Sequence, residues 1–278
     1  MMSNQSPIDG RQDHQRTLVM GILNVTPDSF ADGGEHFDFE DAVRHGHKLF
    51  DEGADIIDVG GESTRPGAER VSLEDELHRV IPVITELREL GAIVSVDTMR
   101  SEVAKAAISA GATIVNDVSG GLADPLMAKV IAGAPDIQYV AMHWRGHSKN
   151  MQNLTSYDEV VRDVKNELDD RVSELLQAGV APEQIILDPG IGFAKDSEHN
   201  WALLRGLERL QLLGYPLLVG VSRKRFLGEL VGAEVPADRD HATLAITSDL
   251  ARREVWGVRT HSVKPHRDAI EVIEELYY

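Results

Sequence analysis

Leu217-Leu-Val-Gly-Val-Ser-Arg-Lys-Arg-Phe226 opens as an apolar run and gives way, at Ser222, to Arg223, Lys224 and Arg225. An apolar run without clean alternation fits a strand buried on both faces of a parallel sheet. Ser222 is a natural N-cap. The stretch therefore predicts a strand handing over to a helix, whose first N–H groups gather with the three basic side chains as an anion site requires. In isolation, a strand followed by a solvated basic turn reads the same way, but the hand-over recurs along the chain. Runs rich in β-branched residues at 18–25, 55–59, 92–96, 113–116, 137–142, 184–187, 216–221 and 257–260 predict strands. Amphipathic stretches at 39–52, 72–90, 100–110, 157–178, 200–213 and 242–254 predict helices between them, several closed by glycine (Gly53, Gly91, Gly111, Gly179, Gly214). Eight such units, ending in a helix over 265–276, form the pattern of a (β/α)8 TIM barrel, with an open doubly wound sheet as the alternative.

The 278 residues suffice for one barrel, and a 42% hydrophobic content can fill its core. No linker or composition break divides 17–278, which is expected to be a single domain. Residues 1–16 are polar, lack the apolar core of a signal peptide, and are expected to form a disordered tail. The net charge of −18 argues against nucleic acid or an anionic membrane as partner. It also means that any anion site must be a local concentration of cations and helix ends. Cysteine is absent, which removes disulfides, zinc–thiolate sites and thiol nucleophiles and accords with a cytoplasmic location. No apolar run reaches the roughly 18 residues that a membrane span needs.

In a barrel the active site lies where strands end and βα loops begin. The residues at those places are Asn24, Asp58 with Glu62, Asp97, Asn116, His143, Asp188, Ser222 with Lys224, and Arg259 with His261. Any one of them could be an ordinary helix cap, as Asp and Asn after strands often are. Gathered at one mouth they would be costly, because buried carboxylates such as Asp97 and Asp188 need partners. A ligand rich in N–H donors would satisfy them, and nearby lysine and arginine would answer its oxygens. Two long glycine-bearing loops, 24–34 and 60–68, carry Asp28, Thr64 and Arg65 and have the form of lids.

Taken together, Met20-Gly-Ile-Leu-Asn-Val-Thr-Pro-Asp-Ser-Phe30, Asp58-Val-Gly-Gly-Glu-Ser-Thr-Arg-Pro-Gly67, Val94-Ser-Val-Asp-Thr98, Val115-Asn-Asp-Val-Ser-Gly-Gly121, Leu187-Asp-Pro-Gly-Ile-Gly-Phe193, Val221-Ser-Arg-Lys-Arg-Phe-Leu-Gly228 and Val258-Arg-Thr-His261 resemble, in order, the motifs of the dihydropteroate synthases. The resemblance implies a barrel enzyme of folate synthesis that joins 6-hydroxymethyl-7,8-dihydropterin diphosphate to p-aminobenzoate and releases diphosphate with Mg2+ assisting. It implies a pterin site of Asp97, Asn116, Asp188, Phe193, Lys224 and Arg259. Within it Asp188 takes the amino and ring N–H pair and Lys224 the carbonyl oxygen, a division that suits the donor pattern of a pterin. Arg259 and His261 correspond to diphosphate ligands, and Asn24, with Asp28 through water, to the magnesium region. Ser222 and the helix start behind it correspond to a seat for the p-aminobenzoate carboxylate, walled by Phe30, Phe193, Thr64, Arg65 and Pro66. A homodimer is expected on the same ground.

The chain departs from that pattern at Ser262, where the family often has Asp; serine can still cap the following helix. Ile191 and Ala194 also differ from the commoner residues and read as packing changes. His143-Trp-Arg-Gly-His147 could pair as metal ligands, but that spacing on a loop is poorly specific and an ordinary barrel loop is the favoured reading. Lys224 could form a Schiff base if desolvated between two arginines. A pterin-binding paralogue without synthase chemistry, or a methyltetrahydrofolate-binding barrel, would share the pterin residues but lack the second substrate's site.

Overall fold

The computed structural model describes residues 16–26, 39–62, 70–146 and 154–278. Asp28, Phe30, Thr64, Arg65, Pro66 and His147 lie outside the described residues, as does the expected tail up to residue 15. Parallel strands β1 (Leu18–Asn24), β2 (Ile56–Gly60), β3 (Val94–Asp97), β4 (Ile114–Asp117), β5 (Gln138–Met142), β6 (Ile185–Asp188), β7 (Leu218–Val219) and β8 (Gly257–Thr260) form one eight-stranded sheet. Its order is β6-β5-β4-β3-β2-β1-β8-β7, and a parallel bridge between Leu187 and Leu217 closes the cylinder. The barrel expected from the sequence is therefore the one observed, and an open sheet is excluded by the β1–β8 pairing and by that closing bridge.

Helices α1 (Phe39–Asp51), α2 (Leu73–Glu89), α3 (Ser101–Ala110), α4 (Met127–Ala132), α5 (Val160–Gln177), α6 (Ser197–Arg205), α7 (Leu207–Gln211), α8 (Arg225–Val231), α9 (Asp240–Arg252) and α10 (Val263–Tyr277) connect the strands. Their ends follow local chemistry. The Ser72 hydroxyl accepts the Asp75 N–H at 3.0 Å to start α2, and α3 ends at Gly111, whose φ of 107° a β-carbon would resist. The stretch expected as one helix over 200–213 is two, parted at Gly206, where a β-carbon would come within 2.9 Å of Val161 on α5. Helix α4 has only six residues, too few for a helical period to register in the sequence. Strand β7 is two residues long rather than six, because the chain turns away after Val219 toward Ser222.

Strand alternation divides the core. Outward residues pack under the helices in one large cluster, whereas Met20, Ile56, Ile114, Val140, Ile186, Leu218 and Trp256 form a separate cluster inside the cylinder. Two residues further along the same faces stand Asp58, Asn116 and Asp188. The barrel is thus apolar inside at its base and polar at its C-terminal mouth.

At the base, Asp55 accepts from Val19 N–H (2.8 Å), from Arg16 (2.6 and 2.9 Å) and from Arg267 of α10 (3.1 and 3.2 Å). Arg16, assigned by the sequence to the tail, is therefore tied to the barrel. Nearer the mouth, buried Asp117 accepts from Ser119 N–H (2.8 Å) and hydroxyl (2.7 Å), Gly121 N–H (2.9 Å) and the Tyr139 hydroxyl (2.8 Å), folding the loop that follows Asn116. Removing the last of these donors with Tyr139→Phe should lower the unfolding free energy by about 1–2 kcal/mol in urea titrations, without changing the denaturant slope.

Candidate active site

The polar layer is built in rows across the sheet. Asn24 pairs in register with Gly60, Gly60 with Asp97, and Asp97 with Asn116. Gly60 leaves room: a β-carbon there would stand 3.7 Å from Asp97 Oδ2 and 3.8 Å from Asn24 Oδ1. One row deeper, Asp58 faces Ser95. Arg259 from β8 spans the mouth and donates through Nε to Asp58 Oδ2 (2.7 Å) and through Nη2 to Asp97 Oδ2 (2.8 Å). Asn116 Nδ2 donates to the same Asp58 oxygen at 2.9 Å. Asp58 Oδ1 and Ser95 Oγ are buried without a hydrogen-bond partner. Asp58, named by the strand-end pattern but not among the residues implied by the resemblance, is thus the acceptor that orients both Arg259 and Asn116.

Burial raises the Asp97 carboxyl well above the usual carboxylate range; Arg259 opposes the shift, and Asp58, Asp117 and Glu62 add to it. Asp188 at the end of β6 is raised by burial too, while Lys224, the Gly190 N–H (2.7 Å to Oδ1) and Arg259 pull it down. Lys224 is lowered to about 8 by burial, held up by Asp188 and pushed further down by Arg259. Its stem lies along Gly192, where a β-carbon would come within 2.9 Å of Lys224 Cδ. Its ammonium donates to the Ile191 carbonyl and stands 4.8 Å from the centre of the Phe193 ring. Asp97, Asn116, Asp188, Phe193, Lys224 and Arg259 therefore meet at one mouth.

Three expectations around Ser222 need correction. The N-cap of α8 is Lys224, not Ser222, and no side chain caps that helix. Ser222 instead shares a 2.9 Å hydrogen bond with His261 Nδ1 and accepts the His261 backbone N–H at 3.2 Å. The three basic residues also do not converge. Arg223, at φ 60°, turns to Asp240 in a two-pronged pair of 2.8 Å, and exposed Arg225 pairs with Glu229 along α8, so only Lys224 reaches the mouth. Ser262 stands at the N-cap position of α10, but its side chain makes no capping hydrogen bond: its hydroxyl donates to Asp240 at 2.8 Å.

His143 has both ring nitrogens engaged, Nδ1 with Lys195 and Nε2 with Glu167, each at 2.9 Å. That leaves no lone pair for a metal, and among the described residues no cluster of three or more His, Asp or Glu side chains could hold one. Glu62 forms the base of the second long loop, pairing with Arg70 (3.2 Å) and with Arg100 (3.1 Å), which also holds the Val71 carbonyl at 2.6 Å. Ala194 is more than packing. Its φ of 48° is a left-handed conformation that costs a non-glycine residue about 1–2 kcal/mol.

The chain is similar to proteins of one kind throughout. The model of the family described as pterin binding enzyme matches residues 20–261. A dihydropteroate synthase from Mycobacterium leprae is 49% identical over 261 residues, covering 92% of each chain. Among solved structures, Xanthomonas albilineans dihydropteroate synthase with 4-aminobenzoic acid has a TM-score of 0.88 at 43% identity, covering 94% of this chain and 93% of its own. The same enzyme in complex with 7,8-dihydropteroate has a TM-score of 0.86 at 40% identity, with 95% of both chains covered. With Asp97, Asn116, Asp188, Lys224 and Arg259 gathered at one barrel mouth and residues 20–261 matched by the family model, the chain belongs to the pterin binding enzyme family.

Proposed function

We propose that this barrel is a dihydropteroate synthase, a transferase that condenses 6-hydroxymethyl-7,8-dihydropterin diphosphate with p-aminobenzoate to give 7,8-dihydropteroate and diphosphate. The observation that carries the reading is the meeting of buried carboxylates, Asp97 and Asp188, with Lys224 and Arg259 at one mouth. A pterin offers an amino group and ring N–H beside a carbonyl. Asp188 accepts the first two, Lys224 donates to the third, and Asn116, fixed by Asp58, meets a remaining ring position. Phe193 flanks the ring. Ser222, together with Phe30, Thr64, Arg65 and Pro66, would serve the p-aminobenzoate side.

Bond cleavage places negative charge on the departing diphosphate and positive charge on the pterin methylene. Arg259 and His261 answer the first and Asp97 the second, in a site where burial strengthens each interaction. The aromatic amine then adds to the carbon without an enzyme nucleophile, a dissociative substitution. Loop segments closing over the mouth would exclude water, which competes for the same carbon.

Magnesium fits this arrangement. The Asn24 amide oxygen is a hard donor beside Asp97 across Gly60, and Mg2+ is commonly held by few protein oxygens together with substrate phosphates. Asn24, with Asp28 through water, would hold it, and bound there it would neutralise charge on the diphosphate. A cytoplasmic homodimer belongs to the same proposal, carried by the resemblance to the synthases.

Mixing both substrates with Mg2+ should release one diphosphate per dihydropteroate formed. Pterin binding without diphosphate release would mark a binding paralogue instead. Lys224, lowered to about 8 by burial, carries its charge and is the stronger donor only when protonated, so kcat/KM for the pterin diphosphate should fall as pH rises through that value. Asp188→Asn should weaken pterin binding about a hundredfold, or about 3 kcal/mol, measured by titration calorimetry.

A further inference from the structure

The reaction as drawn leaves the buried cation beside the pterin-site residues, Lys195, unused. Lys195 follows β6 on the loop that carries Gly190 and Phe193, and it is only 8% exposed. Its ammonium has three hydrogens and three acceptors: His143 Nδ1 (2.9 Å), the Gly190 carbonyl (3.1 Å) and the Phe193 carbonyl (3.0 Å). An ammonium can only donate, so His143 Nδ1 accepts and the imidazole proton resides on Nε2, facing Glu167. Burial and the neighbouring Lys195 charge lower His143 to about 4, keeping the ring neutral in that tautomer. Glu167 is held down to about 2 by hydrogen bonds from His143 and Arg145 that outweigh its burial. Arg145 in turn lies over the Tyr157 ring at 3.8 Å, and the Tyr157 hydroxyl donates to the Ala194 carbonyl at 3.1 Å.

Several independent features therefore act on the same eight-residue segment, 188–195. Ala194, left-handed at φ 48°, immediately precedes the buried Lys195. Gly190 is pressed so closely on the His143 backbone that a β-carbon would stand 2.5 Å from its carbonyl oxygen. The Gly190 carbonyl is held by Lys195 while the Gly190 N–H is held on Asp188 Oδ1.

We propose that Lys195 is a positioning residue for the pterin site: anchored by neutral His143, it fixes the backbone of Gly190 and Phe193, and through them the orientation of the Asp188 carboxylate and the Phe193 ring. This rests on the reading of Asp188 and Phe193 as pterin-binding. The side chain itself is turned toward backbone carbonyls and His143 rather than toward the Arg259 side of the mouth. Its loss is therefore felt first in recognition of the heterocycle, through Asp188 and Phe193, and less in binding of the aromatic amine, which shares only the Phe193 wall.

Lys195→Met retains length and removes the donors. By calorimetry with 6-hydroxymethylpterin its Kd should rise about tenfold to a hundredfold over the unaltered protein, while KM for p-aminobenzoate at saturating pterin diphosphate rises by a clearly smaller factor, about threefold or less. Because the chain contains no cysteine, Lys195→Cys can be alkylated at that one position with 2-bromoethylamine, which restores an ammonium of nearly lysine length. Recovery of pterin affinity is expected. Lys195→Gln, with two N–H donors, covers the case in which the methionine variant fails to fold and should show a smaller weakening. Unchanged pterin affinity in a folded variant, or an equal rise in both substrates' constants, overturns the proposal. Failure of the unaltered protein to bind the pterin overturns the functional reading beneath it and this inference with it.

Discussion

Arg259 lies between two buried carboxylates, and the mouth of the barrel depends on that arrangement. Asp58 and Asp97 could not share a desolvated site without it, because like charges at that depth repel strongly and each loses its hydration. The guanidinium's planar fork reaches both acids from a strand on the far side of β1. Asp58, once fixed, orients Asn116. The strands thus hold a set of polar groups in place before any ligand arrives.

The arrangement leaves the mouth electrostatically unfinished. Carboxylates are raised, lysines are lowered, and the Lys224 ammonium rests on a backbone carbonyl for want of a better acceptor. A heterocycle with adjacent donors and an acceptor completes these half-met valences. That completion is specific, because an analogue lacking one such group leaves its partner buried and unpaired. On a chain of net charge −18, recognition of an anionic substrate therefore rests on a few buried cations rather than on the overall field.

The barrel was legible because strands buried on both faces leave continuous apolar, β-branched runs between amphipathic helical stretches, and the strand ends Asp58, Asp97, Asn116, Asp188 and Arg259 lie where a barrel must place its site. Turn geometry left a weaker trace. In Ser222–Arg225 the residue types suggested a cap and a cluster of cations, yet a left-handed Arg223 sends its side chain to Asp240 and passes the capping position to Lys224. Nothing in the sequence near residue 223 announces an acidic partner from α9. Lys195 was likewise illegible, since it follows Ala194 in a conformation that alanine disfavours. Helix α4 was missed through brevity, and the split at Gly206 through its contact with a distant helix.

The cylinder is closed unevenly. Seven neighbouring strand pairs are laddered, whereas among the described residues β6 meets β7 through one bridge, Leu187 with Leu217. Asp188 and Lys224 stand on opposite lips of that seam, the one directly after β6 and the other beyond β7. With so few backbone bonds across it, the spacing of acceptor and donor is set largely by contacts of the loops beyond the strands: Gly190 N–H on Asp188, and the Lys224 stem against Gly192. Elsewhere around the mouth the groups are tied across the strands themselves, Arg259 of β8 reaching over to Asp58 of β2 and Asp97 of β3.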